Sequence, residues 1–181
     1  MIKILDTLTP YDQLEEEHIA FAKKWVDSGA PLYRTEKPAT PDPHLVSYFL
    51  LIDQATNKIL LVDHRKANLW LPAGGHVELN EDPKDTVKRE MLEELNIEAD
   101  FLMPNPFFLT VTKTKGQAGP HTDVSLWYLL KGNSKITYNF DTSEFYQIKW
   151  FELKDIPYSQ SDPHMSRSIN KLTATGFLCK L

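Results

Sequence analysis

LPAGGHVELNEDPKDTVKREMLEELNI, residues 71–97, carries the most specific pattern in the chain. It begins with a glycine turn at Gly74 and Gly75, continues through a short extended segment, and ends in one acidic helix. Asp82 is placed to cap that helix, with Pro83 at the first helical position and Asp85 in the first turn. At about 100° per residue, Glu90, Glu93 and Glu94 share one helix face roughly 100° wide. Val87, Met91 and Leu95 form an apolar stripe beside it. Arg89 stands four residues before Glu93, a spacing that favours a pair between them. Charge runs of this kind are commonly plain solvated surface. Three carboxylates on one face nevertheless repel unless a cation sits among them, and an all-oxygen donor set suits Mg²⁺ or Mn²⁺.

The spacing of the fixed residues is more specific than the helix alone. Gly75, five residues, Glu81, seven residues, Arg89-Glu90, an apolar Met91, then Glu93-Glu94 and Ile97 resemble the signature of the Nudix hydrolase family. One position departs from that pattern: Asn96 stands where the family has its last glycine. The position lies just past the helix end, where a left-handed residue is usual and Asn is the commonest substitute for Gly. The resemblance implies an α/β/α sandwich around a mixed β-sheet, covering roughly residue 45 to the C-terminus.

The resemblance also implies a metal-dependent pyrophosphohydrolase that cleaves the phosphoanhydride linkage of a nucleoside diphosphate derivative. Glu90 and Glu94, one turn apart, would be the principal ligands of Mg²⁺ or Mn²⁺, joined by a backbone carbonyl of the Gly75 turn. Glu93 would be a further ligand or the base that orients water. Arg89 would orient Glu93, and Glu81, at the helix start, would be structural. Some members recruit a further acidic residue from outside the signature, and Asp123 and Glu144 are the candidates here. The substrate group remains open on these residues; a nucleoside triphosphate or modified nucleotide is the first choice. Val111, Thr112 and Thr114 stand where the ADP-ribose and dinucleoside-polyphosphate groups carry a proline or tyrosine. An alternative is a Nudix-fold nucleotide-binding or regulatory module without hydrolysis, against which the intact acidic set argues. A plain α/β domain with an acidic surface helix is the third reading.

Whole-chain properties bound these expectations. With 181 residues, the chain fits one domain with a terminal addition. A net charge of −5 gives no bulk attraction to nucleic acid or anionic membrane, so a small nucleotide is the expected partner. Cys179 is the only cysteine, which rules out a disulfide within the chain. No signal-like or membrane-spanning run is evident, and the cytoplasm is the default expectation.

Taken in order, residues 1–43 read as an N-terminal helix and a Pro-rich connector, and residues 44–181 as the main domain. The first helix is expected to start at Thr9-Pro10 and to pack through Leu14, His18, Phe21, Ala22 and Trp25, on the main domain or on a second subunit. A homodimer is thereby left open. Strands are expected at 45–53, 58–64, 107–114, 121–130 and 144–153, with a mobile loop at 115–120 and a last helix from Asp162-Pro163 to Gly176. Strand alternation puts His121, Asp123, Ser125 and Trp127 on one face, a mixed wall suited to a ligand cleft. Together with Arg65, in the basic cluster before the signature, His121, Asp123 and Trp127 are the candidate substrate-binding residues. Core filling is the commoner use of such a tryptophan.

Overall fold

A computed structural model describes residues 1–36, 40–116 and 119–179. The elements are α1 (Ile2–Leu5), α2 (Gln13–Asp27), β1 (His44–Asp53), β2 (Lys58–His64), β3 (Leu69–Leu71) and β4 (Ala73–His76). They are followed by α3 (Pro83–Leu95), β5 (Phe108–Gly116), β6 (Gly119–Lys131), β7 (Phe145–Glu152) and α4 (Met165–Ala174).

One mixed sheet of seven strands organises the chain, with the central order β3-β2-β1-β6-β5. β1 and β6 are parallel, in register from His44 opposite Asp123 to Ile52 opposite Lys131. The other edge of β1 is shared: its second half pairs with β2, while Val46 to Phe49 pair antiparallel with β4. β7 joins on β2. This splitting of one strand edge places the glycine turn of β4 directly beside the sheet centre.

Both faces of the sheet are covered. On one, Val87, Met91 and Leu95 of α3 and Ile19, Ala22 and Trp25 of α2 pack with Leu45, Phe49, Val124, Leu126 and Tyr128. On the other, Met165, Ile169 and Leu172 of α4 pack with Leu50, Ile52, Ile59, Trp127 and Leu129. The fold is thus the expected α/β/α sandwich. Full burial of each large apolar side chain contributes about 1.5–3 kcal/mol, so the α3 stripe alone strongly fixes that helix on the sheet.

Several sequence expectations are corrected. α2 begins at Gln13, not Thr9-Pro10, because Asp12 is the N-cap and accepts from the Glu15 amide at 2.8 Å. Its buried face carries Glu15, Ile19, Ala22 and Trp25, whereas Leu14 and Phe21 are exposed. The buried Glu15 carboxylate is bound by Lys171 of α4 at 2.7 Å, so a charged position belongs to the packed face. The last helix starts at Met165, after a turn in which Asp162 accepts from the His164 amide. The expected loop at 115–120 is narrower: β5 runs to Gly116 and β6 starts at Gly119, while 117–118 lie outside the described residues.

Candidate active site

The site is built where α3 meets the β4 turn. Asp82 caps α3 by accepting from the Lys84 amide at 2.8 Å, and Pro83 follows as the first helical residue. At the other end Asn96 takes the left-handed conformation, with φ 53°, and its amide closes on the Leu92 carbonyl. The departure from glycine therefore leaves the helix terminus as the spacing requires.

Glu94 is 5% exposed and accepts a hydrogen bond from the Gly74 amide at 3.0 Å. Burial pushes its carboxyl well above the ordinary range; the neighbouring Glu90 charge adds to this, and the Gly74 amide opposes it. Glu90 is also raised, chiefly by burial, with Arg89 opposing and the charges of Glu93 and Glu144 adding. Glu90 lies directly against Gly75, so a side chain at that position would overlap its carboxylate.

Arg89 is the hub of the acidic face. Its Nε and one terminal nitrogen donate to both oxygens of Glu81, at 2.9 and 3.0 Å. The other terminal nitrogen donates to Glu90 at 2.7 Å and, more weakly, to Glu93 at 3.3 Å. Its fork also reaches the His76 carbonyl. Burial raises the Glu81 carboxyl, but hydrogen bonds from Arg89, the Glu78 amide and Thr86 outweigh it and hold the group at about 2. Arg89 thus grips Glu81 and Glu90 more closely than Glu93, the partner that helix spacing suggests.

Glu144 comes to this site by backbone docking. The Asp141 amide donates to the Glu94 carbonyl at 2.9 Å, and the Arg65 amide donates to the Glu144 carbonyl at 2.9 Å. The Glu144 carboxylate pairs with Lys66 at 3.4 Å, and its charge is felt by both Glu90 and Glu94. The Arg65 side chain donates to the carbonyls of Thr142 and Phe145 and covers the Tyr146 ring, so it braces this loop.

The other candidates lie elsewhere. Trp127 is fully buried in the second core and donates its Nε1 to Thr110 at 3.0 Å. It cannot stack on a ligand there, which corrects the substrate-binding expectation; α4 covers the face of β6 that alternation alone leaves open. His121 and Asp123 gather with His44 and His76 rather than with the glutamates. Neither of those two histidines stood out in the sequence; only the register of β1 against β4 and β6 brings them together. Arg34 reaches His76 Nε2 at 3.2 Å, and the charges of Asp123 and Glu90 both act on it.

The acidic face fits a hard divalent cation. Glu94 is buried and Glu90 half-buried, two mutually repelling carboxylates opposite a turn without side chains, and every available donor is oxygen. These features define a class, an α/β/α domain with a carboxylate cradle facing a glycine turn. The sequence model of the NUDIX domain matches residues 43–172, well over half of the chain. The chain belongs to the NUDIX domain family.

Two curated relatives are similar to it. One is the human nucleoside diphosphate-linked moiety X motif 6, 29% identical over 129 residues, covering 70% of this chain and 40% of that protein. The other is the zebrafish (Danio rerio) m7GpppN-mRNA hydrolase NUDT17, 31% identical over 118 residues, covering 52% of this chain and 39% of that protein. This chain therefore spans less than half the length of these two relatives. A NUDIX-family hydrolase from Clostridium perfringens has a similar fold, with TM-score 0.56 and 20% identity over 73% of this chain and 97% of that one. No helix among the described residues is long and apolar enough to cross a membrane.

Proposed function

We propose that this protein hydrolyses the phosphoanhydride linkage of a nucleoside diphosphate derivative, with a nucleoside triphosphate or modified nucleotide as the substrate class. The supporting observation is the pair of carboxylates, Glu94 buried and Glu90 half-buried, held against the Gly74–Gly75 turn. The names of the relatives point the same way: one refers to nucleoside diphosphate-linked moieties and the other to a capped-mRNA hydrolase.

Glu90 and Glu94 would hold Mg²⁺ or Mn²⁺, with a carbonyl of the Gly75 turn as a further oxygen. A bound cation would neutralise non-bridging phosphate oxygens and make water more acidic. Arg89 holds Glu90 in place and leaves its buried neighbour Glu94 to the cation. Glu93 is largely exposed and weakly tethered, which suits a group that moves a proton from water. Glu144 serves as the further acidic residue, since its charge reaches both Glu90 and Glu94 while Asp123 belongs to the histidine group. Glu81 has its oxygens taken by Arg89, Thr86 and the Glu78 amide, and is structural.

A screen for phosphate and pyrophosphate release over a panel of nucleotides, capped RNA included, with Mg²⁺ or Mn²⁺, tests the reading. Release from nucleotides that falls by several orders of magnitude in Glu94→Gln, with the circular dichroism unchanged, is the expected result. A folded Glu94→Gln variant with near-normal turnover would overturn it.

A further inference from the structure

The ends of three strands deliver four ligand-type side chains to one point outside the glutamate cradle. His44 opens β1, its register partner Asp123 lies on β6, and His121 precedes Asp123 by two residues on the same face. His76 closes β4, paired opposite Val46 of β1. One ligand atom from each residue lies within 4.8 Å of all the others. His44 Nε2 is 3.0 Å from Asp123 Oδ1 and 3.1 Å from His76 Nε2. His121 Nε2 and His76 Nε2 lie 3.5 and 4.0 Å from the same Asp123 oxygen. In a tetrahedral site with bonds near 2.0–2.1 Å, ligand atoms stand about 3.4 Å apart.

Proton accounting shows a deficit at this point. His44 Nδ1 lies 2.7 Å from the Pro41 carbonyl, which can only accept, so the proton sits on Nδ1. A neutral His44 then presents a bare Nε2 to the cluster. Arg34 can only donate, and its NH1 lies 3.2 Å from His76 Nε2, which is therefore also bare. With both rings neutral, two lone pairs would face each other at 3.1 Å. Burial disfavours a second proton on His44, but Asp123 and the Pro41 carbonyl outweigh it, so a proton on His44 Nε2 relieves the contact as a metal ion would. Asp123 adds a third acceptor: it is 6% exposed, and among the described residues no hydrogen bond of acceptable angle reaches Oδ1, close as His44 Nε2 is. A buried acceptor cluster of this kind is held together by an imidazolium proton or by a metal ion among its members, and the four ligand atoms are spaced for the metal. The Nδ1–H to carbonyl bond is also the outer contact that orients a metal-ligating imidazole.

We propose that His44, His76, His121 and Asp123 form a second metal centre, selective for Zn²⁺-type ions and distinct from the glutamate site. Three imidazoles and one carboxylate favour zinc over magnesium, which takes oxygen ligands. The ion ties β1, β4 and β6 together one residue beyond the Gly74–Gly75 turn. Arg34 competes with it for the His76 lone pair and repels it, so Arg34 weakens the site. The inference does not depend on the proposed hydrolysis.

The test is equilibrium dialysis of the chelator-stripped full chain against zinc, read by elemental analysis, with cobalt substitution as a spectroscopic probe. One equivalent of zinc and the intense visible bands of tetrahedral cobalt are expected in the wild type and in the double variant Glu90→Gln/Glu94→Gln. His76→Ala and Asp123→Asn, checked for folding by circular dichroism, lose that equivalent, and Arg34→Ala retains zinc more tightly. Zinc absent from the wild type, unaffected by His76→Ala, or lost with the glutamates instead would overturn the proposal. Should the histidine and aspartate variants fail to fold, wild-type cobalt bands that Arg34→Ala strengthens support it, and their absence refutes it.

Discussion

Gly75 and Glu90 compete for the same small volume: a Cβ at position 75 would overlap the Glu90 carboxylate. The clash is with the far end of a flexible side chain, so the fold can yield, but only by moving Glu90. Gly75→Ala should therefore keep its melting temperature, or gain slightly from a stiffer unfolded chain. Turnover should fall by about 100-fold, the usual cost of a misplaced catalytic group. Gly74→Ala differs, because its φ is +136° and its Cβ would overlap the Ser47 backbone carbonyl. That variant should lose more than about 2 kcal/mol of stability. Thermal melts beside release assays separate the two, and an active, stable Gly75→Ala would show that Glu90 need not sit where it does.

The acidic helix was legible because everything that defines it is local. Asp82, Pro83, the apolar stripe and Asn96 are near neighbours in sequence, and each acts through backbone geometry. Apolar spacing misses part of the α2 face because Glu15, a charged residue, occupies a packed position once Lys171 meets it. Alternation along β6 does not distinguish a cleft from a second core, and it is α4 that buries Trp127. His44 and His76 carry no periodic signal at all. Their meeting depends on which strand lies beside β1, a long-range property of the sheet.

Asp162 makes stability depend on pH in the acid range. Burial, with the Asp123 charge adding, raises its carboxyl from 3.8 to about 6 despite the His164 amide and Arg167. A raised folded value means that the stabilisation is complete below the unfolded value, near 4, and is lost as pH rises through about 6. Near neutral pH the ionised form therefore costs on the order of 2–3 kcal/mol. Asp162→Asn can still accept from the His164 amide and carries no charge. It should melt above the wild type at pH 7.5 and lose that advantage by pH 4. Parallel melting curves at the two pH values would decide, and an equal offset at both would reject the buried ionisation.

Asn96 tests the helix terminus. With φ at 53°, the residue sits where a Cβ without a local polar group is strained. Asn96→Gly should change stability by no more than about 0.5 kcal/mol, whereas Asn96→Ala should cost about 1 kcal/mol. Chemical denaturation measures both. Equal losses in the two variants would mean that the asparagine side chain, not the left-handed backbone, is what the position requires.

Glu15 and Lys171 should behave as one unit. Their charges meet at 2.7 Å with both residues buried, joining α2 to α4. Among the described residues, the other hydrogen bonds of the two charged groups run to backbone: the Glu15 carboxylate accepts from the amides of Tyr11 and Leu109, and the Lys171 ammonium donates to the Thr9 carbonyl. Glu15→Gln must point its amide nitrogen at one of these donors and leaves the lysine charge uncompensated, at a cost of about 3–5 kcal/mol. Lys171→Met should cost a similar amount by leaving the carboxylate buried alone. The double variant removes both charges and should be less destabilised than the sum of the singles by more than about 1 kcal/mol. A urea-denaturation cycle over the four proteins measures that difference; simple additivity would mean that water reaches one charge when the other is removed.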